Sequence, residues 1–259
     1  TNVLLENNTV NRIAAPSIGL GIFIQYTNNS VLRNNNVSES GGTSSAGNSI
    51  YLDNSYYNLI TGGSIANSSW NAIYVGNGGF NNFTDISISG TTDTNVIDTG
   101  YDLRILSING TILTDMPYIE NYTFGAGKQT VTFVDSTYGE INFFNGINGS
   151  GINLTNDVRI GNNSVIVETD GNRGLIYPAN VTLYGIGERS FSNIAIVTNN
   201  TKACTQSTKP ACYNFTALNA DTVIFNVSSW SNYSIGNALT TCGLSLQTPN
   251  TNYVLSDNL

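Results

Sequence analysis

The side chains able to do chemistry in this chain are few and scattered. There is no histidine. That removes the commonest general base and metal ligand, and with it a Ser-His-Asp triad or a His-rich metal centre. The first 116 residues hold the acids Glu6, Glu39, Asp53, Asp85, Asp93, Asp98, Asp102 and Asp115, and the bases Arg12, Arg33 and Arg104. None of the acids forms an Asp-Asp or Asp-x-Asp pair. A glycosidase needs two carboxylates facing each other across the scissile bond, and a lyase needs cation-binding acids with a basic side chain. Asp53 and Asp98 end the same type of apolar run two repeats apart, with Gly76 near that place between them. One such pair is a thin basis for a site. The sequence predicts no catalytic residue, no metal ligand and no cofactor.

Sulfur and sugar chemistry are better represented. Cys204 and Cys212 stand eight residues apart around Lys209-Pro210, with a strand-like run on each side. That spacing predicts a disulfide closing a hairpin loop, the usual state of such a pair outside the cell. Cys242 is left over, which points to a partner beyond Leu259 or in another subunit. Fifteen Asn-x-Ser/Thr acceptors occur: Asn7, Asn28, Asn36, Asn67, Asn82, Asn109, Asn121, Asn148, Asn153, Asn162, Asn180, Asn199, Asn214, Asn226 and Asn232. Their density predicts N-linked glycans and an extracellular or cell-surface location. Tyr56, Tyr57, Trp70, Tyr74 and Phe80 are candidates for a sugar-stacking face, set against the plainer reading that they fill or cap the core.

The elements that would carry these residues are strands. Ile22-Phe23-Ile24, Ile50-Tyr51-Leu52, Ile73-Tyr74-Val75 and Val96-Ile97 recur at intervals of 28, 23 and 23. Val10, Val37, Ile65, Ile88 and Ile108 recur at 27, 28, 23 and 20. A period in the twenties, built of short β-branched runs separated by Asn, Gly and Ser, predicts a solenoid of parallel strands. The inserts "NRIAAPSIG" and "ESGGTSSAG" predict loops leaving one side. Asn and Gly at the strand ends suit sharp corners, and stacked Asn side chains could hydrogen-bond from coil to coil.

Beyond Asp115-Met116-Pro117 the period fades. Runs at 130–134, 141–144, 165–168, 181–184, 194–197 and 222–225 alternate with turn signals. They predict a β-sandwich or Ig-like module over 117–238, with 117–165 as a place where further coils could form instead. Residues 239–259 read as a linker and the start of a next β-element, with a strand-like core at 253–255. The fold class predicted is all-β: a right-handed parallel β-helix over 1–116, then the sandwich.

Bulk properties narrow the partners. Only 10% of residues are charged, against about 25% in ordinary domains. Glycans or burial in an assembly would supply the missing solvation. The net charge of −8, with no Lys/Arg cluster, argues against nucleic acid. No apolar run reaches the roughly 18 residues of a membrane span. The chain opens already inside a strand-like pattern, which favours a piece of a longer protein.

Three groups of segments carry a resemblance. "NNSVLRNNNVSES", "YYNLITGGSIANSSWNAIYVGN" and "FNNFTDISISG" resemble coils of the parallel β-helix (pectin-lyase-like) repeats of archaeal-type cell-surface proteins. "PANVTLYG" with "ACYNFTALNADTVIFNVSSWSNYSIG" is similar to the β-module that follows such helices. "TTCGLSLQTPNTNYVLSDN" looks like the opening of a next β-helix, where a second cysteine would follow Cys242. The resemblance implies surface layers, adhesins or extracellular fibres. The expectation is a glycosylated structural protein that self-assembles into a surface layer or cell-surface filament. An adhesin or carbohydrate-binding module that takes a surface polysaccharide is the alternative, ahead of a polysaccharide lyase or hydrolase.

Overall fold

A computed structural model describes residues 2–11, 13–15, 19–42, 47–91, 101–105, 110–116, 119–169, 173–189, 191, 193–199, 202–239 and 253–255. The chain forms two compact units, one of residues 1–133 with 146–156, the other of 134–145 with 157–259.

The first unit is a parallel β-solenoid of about three turns. One wall stacks Leu20–Gln25, Asn48–Asp53, Asn71–Val75, Tyr101–Ile105 and the start of Glu120–Asp135, all in parallel. A second wall stacks Leu4–Glu6, Val31–Ser38, Leu59–Ala66, Asn82–Thr84 and Thr111–Thr114. Thr9–Asn11 and Ser87–Ser89 extend the far ends of Val31–Ser38 and Leu59–Ala66. Alternation then fills the interior. Ile22, Ile50, Ile73, Leu103 and Tyr122 form one inward row, and Ile24, Leu52, Val75, Ile105 and Phe124 another. Leu32, Ile60, Phe83 and Leu113 form a third. Each such aliphatic chain contributes about 1.5–3 kcal/mol on leaving water.

The first two coils of the Ile22 series have the predicted intervals of 28 and 23 residues. The third differs: Ile73 pairs with Leu103, so the strand in that place is Tyr101–Ile105 and the interval is 30. Val96-Ile97 and Asp98, expected there, lie outside the described residues, as do Asp93, Ile108, Arg12 and Cys242. Two β-branched residues are a weak strand signal when a longer alternating run, Tyr101–Ile105, follows close behind.

Corners repeat as strictly as strands. Asn7, Asn34, Gly62, Asp85 and Asp115 occupy one column and all have φ between 45° and 65°. Asn, Asp and Gly are the residues that tolerate this left-handed conformation. Inside the next corner, Ser30, Asn58, Asn81 and Thr111 form a buried polar column. The amide Oδ1 of Asn58 accepts from the Ser30 backbone N–H at 2.9 Å, and Asn58 Nδ2 donates to Asn81 Oδ1 at 3.0 Å. Asn81 Nδ2 in turn donates to the Ser55 carbonyl at 3.1 Å. The asparagines expected to bond between coils therefore do so, and from inside the solenoid.

The second unit is antiparallel. The start of Gly139–Asn153, at residues 139–142, forms one sheet with Ala179–Leu183, Val223–Val227 and Cys212–Asn214. Val158–Gly161, Ser164–Val167, Asn232–Leu239, Ile194–Thr198 and Lys202–Cys204 form the other, joined in parallel by Tyr253–Leu255. Phe225 of the first sheet meets Tyr233 of the second edge-on at 6.4 Å. Of the run from Gly139 to Glu168, which could make further coils, residues 139–142 and 158–167 pair antiparallel, whereas residues 146–156 belong to the first unit.

The disulfide Cys204–Cys212 is present. It does not close a hairpin: Cys204 lies in one sheet and Cys212 in the other, so the bridge ties the two sheets together. The chain crosses between them in the turns at 205–211, which a local spacing argument cannot distinguish from a hairpin.

Candidate functional site: an aromatic wall on the solenoid

Each apolar triplet of the first wall turns its outer residues inward, so its middle residue faces out. That rule places Phe23, Tyr51, Tyr74 and Arg104 in one outward row, in register from coil to coil. Ring centroids of Phe23 and Tyr51 are 4.9 Å apart, those of Tyr51 and Tyr74 4.8 Å, which is the spacing of neighbouring strands. The rings tilt by 35° and 32°. Trp70 joins the row beside Tyr74 at 6.1 Å. The Arg104 guanidinium lies 5.1 Å from the Trp70 ring centre and 5.7 Å from that of Tyr74, within cation–π range.

A polar row runs alongside. Asp53 accepts from Gln25 Nε2 at 2.9 Å and from Asn77 Nδ2 at 3.1 Å, one amide from the coil before and one from the coil after. The Gln25 bond, then the Asn77 bond, hold the Asp53 carboxyl below its ordinary range, so it stays ionised. Burial first, then the Asp53 charge and Tyr74, push the Tyr51 phenol up, so it remains a neutral donor. The arrangement can stack flat apolar faces on its rings and accept hydrogen bonds from hydroxyl groups at Asp53.

The five aromatics expected on one face divide into two groups. Trp70 and Tyr74 belong to this row. Tyr57 and Phe80 stack on each other at a corner, 4.8 Å apart and nearly parallel at 6°, with the half-exposed Tyr56 beside them. Phe23, Tyr51 and Arg104 were not among the expected site residues. Their signal was in the sequence, at the middle positions of the repeated triplets.

The remaining predicted residues spread widely. Of the glycan acceptors, Asn109 lies outside the described residues and none of the others is buried. Asn226 is committed structurally: its Nδ2 donates to the Ala179 carbonyl at 3.0 Å and to Asn180 Oδ1 at 3.1 Å. Asn214 Nδ2 donates to the Thr216 carbonyl at 3.3 Å. Among the described residues no three of His, Cys, Asp and Glu come together as a metal site. No helix among them is long and apolar enough to cross a membrane. A groove of about 600 Å³ runs between residues 206–211 and 228–230, lined by hydroxyls, Lys209 and Trp230 and by no carboxylate. Compared with known protein families, characterised proteins and solved structures, the chain has no match.

Proposed function

We propose that this chain is an extracellular structural protein, a glycosylated building block that self-assembles into a surface layer or cell-surface filament. The observation that carries the reading is the solenoid itself, whose inward rows repeat in register from coil to coil. Among the described residues, Leu4–Glu6 and Leu20–Gln25 stand at the two ends of the sheet order. Leu4 is 63% exposed and Phe23 44%. Such an edge is a template for another strand, and the rows behind it offer a continuing register to any coil placed on it. A second copy of the chain is the partner this reading takes. The sheet-to-sheet disulfide and the scarcity of charge support an oxidising, glycan-solvated setting. Negative-stain microscopy of material taken from its own cells tests this: layers or filaments are expected, and a strictly monomeric protein refutes assembly.

A second reading is favoured by the aromatic row: a carbohydrate-binding surface for a polysaccharide lying across Phe23, Tyr51 and Tyr74. It predicts retention on a glycan array that is lost in Tyr51→Ala. Equal retention of the variant and the parent protein counts against it.

A further inference from the structure

We propose that Asn28 carries an N-linked glycan, and that its first sugars cover the exposed aromatic corner formed by Tyr26, Tyr56, Tyr57 and Phe80. The inference rests on the extracellular reading above and assigns one residue and one surface within it.

Two otherwise separate observations meet at this place. The first is an apolar patch. Tyr26 is 69% exposed, Tyr57 56%, Phe80 48% and Tyr56 38%. Tyr26, Tyr57 and Phe80 all have positive φ, at 53°, 57° and 56°. That conformation is costly for an aromatic residue, and here it turns large rings outward at the corner. The second observation is the acceptor sequence itself, Asn28-Asn29-Ser30, with Tyr26 two residues before the asparagine.

Register brings them together. Asn28 bridges in parallel to Tyr56, and the residues after each, Asn29 and Tyr57, share a column with Phe80. The position beyond Tyr56 in the Asn28 column is Gly79, which has no side chain. The Asn28 Oδ1 accepts from the Tyr56 backbone N–H at 3.2 Å. That bond orients the amide and, among the described residues, leaves Nδ2 without a hydrogen-bond partner at an exposed position. A sugar on Nδ2 therefore starts beside Tyr56, between Tyr26 and the stacked Tyr57–Phe80 pair. The axial C–H bonds of a pyranose are a natural cover for aromatic faces, and its hydroxyls restore a polar surface. Asn226, with its Nδ2 bonded twice within the sandwich, is the opposite case.

The transfer needs a lipid-phosphate-linked oligosaccharide as donor. The Asn28 Nδ2–C1 bond forms as the bond between sugar C1 and the phosphate oxygen breaks. The lipid phosphate leaves with the electron pair, and one amide proton passes to a base of the transferase. Ser30 is 1% exposed, and its Oγ accepts from the Val3 N–H at 3.0 Å. The acceptor hydroxyl is thus inside the folded coil, so modification precedes closure of that coil.

The test uses protein from its own cells, the variants Asn28→Gln and Asn28→Asp, and glycopeptide mapping with hydroxyl-radical footprinting. Asn28→Asp keeps an oxygen to accept from Tyr56, which guards against a variant that fails to fold. The expected result is a glycan on Asn28. In both variants oxidation of Tyr26, Tyr56, Tyr57 and Phe80 rises severalfold, while Tyr138 and Tyr213 stay unchanged. Bare Asn28 with sugar at Asn82 or any other acceptor overturns this proposal alone. Glycosylated Asn28 whose removal leaves the footprint unchanged overturns the covering role. No occupied acceptor anywhere overturns both this proposal and the glycosylated reading it rests on.

Discussion

Replacing Asn58 by alanine should damage the solenoid far more than replacing an exposed asparagine. Asn58 is 1% exposed. Its side chain receives the Ser30 N–H at 2.9 Å and gives one proton to the Thr27 carbonyl at 3.3 Å and one to Asn81 Oδ1 at 3.0 Å. Two of the partners have other bonds. The Thr27 carbonyl also accepts from the Tyr56 N–H at 3.1 Å. Asn81 Oδ1 keeps the Asn58 backbone N–H at 3.0 Å. The Ser30 N–H loses its Asn58 acceptor inside the coil, at a cost of about 1–3 kcal/mol. The lost donor bonds and a small void raise the total to about 2–4 kcal/mol. For a unit of this size that lowers Tm by roughly 5–15 °C. Thermal unfolding followed by far-UV circular dichroism reads it, with Asn36→Ala as the comparison. The two units can unfold separately, so the transition that moves must be the solenoid's. A variant within about 0.5 kcal/mol of the parent would show that the buried amides are not what holds the coils in register.

Three further outcomes follow from particular contacts. A Cβ on Gly63 would lie 2.2 Å from the Asn35 backbone oxygen, whereas one on Gly62 meets the end of the Asn34 side chain; Gly63→Ala should cost more than about 3 kcal/mol and Gly62→Ala about 1–2 by denaturant unfolding. Loss of Cys204–Cys212, by Cys204→Ser with Cys212→Ser, should destabilise the sandwich by about 2–3 kcal/mol in the chain-entropy model while leaving the solenoid transition in place. Burial, then the bond to Glu140 at 2.6 Å, raises the Tyr184 phenol from 10.0 to about 12. A raised folded value means that its contribution is complete below pH 10 and is lost as the pH climbs through about 12. Tyr184→Phe should therefore flatten the alkaline limb of the sandwich's stability curve, and an unchanged limb would count against the assignment.

The walls of the solenoid were legible because inward positions in a strand recur every second residue, and stacked coils demand the same type at each level. Ile22, Ile50 and Ile73 announce one row on that ground alone. The corner columns were legible for a similar reason, since Asn34, Gly62 and Asp85 are types that accept positive φ. Tyr57 and Phe80 were not readable as corner residues, because nothing local favours an aromatic ring in that conformation. The coil after Ile73 has an interval of 30, and Val96-Ile97 stands by chance at the 23-residue spacing of the coil before it, so periodicity alone points to the wrong run. The disulfide was readable from spacing, but its role in joining two sheets depends on Cys204 pairing back onto Ile194–Thr198 and Cys212 pairing forward onto Val223–Val227, which the spacing of the two cysteines does not encode. The outward aromatic row was legible in the triplets. Its members are 28, 23 and 30 residues apart, so they are not neighbours along the chain.

The register of that row is the claim on which the rest depends. Oxidative cross-linking of a Tyr74→Cys, Arg104→Cys protein, mapped by mass spectrometry, tests it directly. Coil stacking at the 30-residue interval predicts a disulfide between positions 74 and 104. A disulfide that instead forms in Tyr74→Cys, Ile97→Cys, with none between 74 and 104, would contradict the solenoid described here.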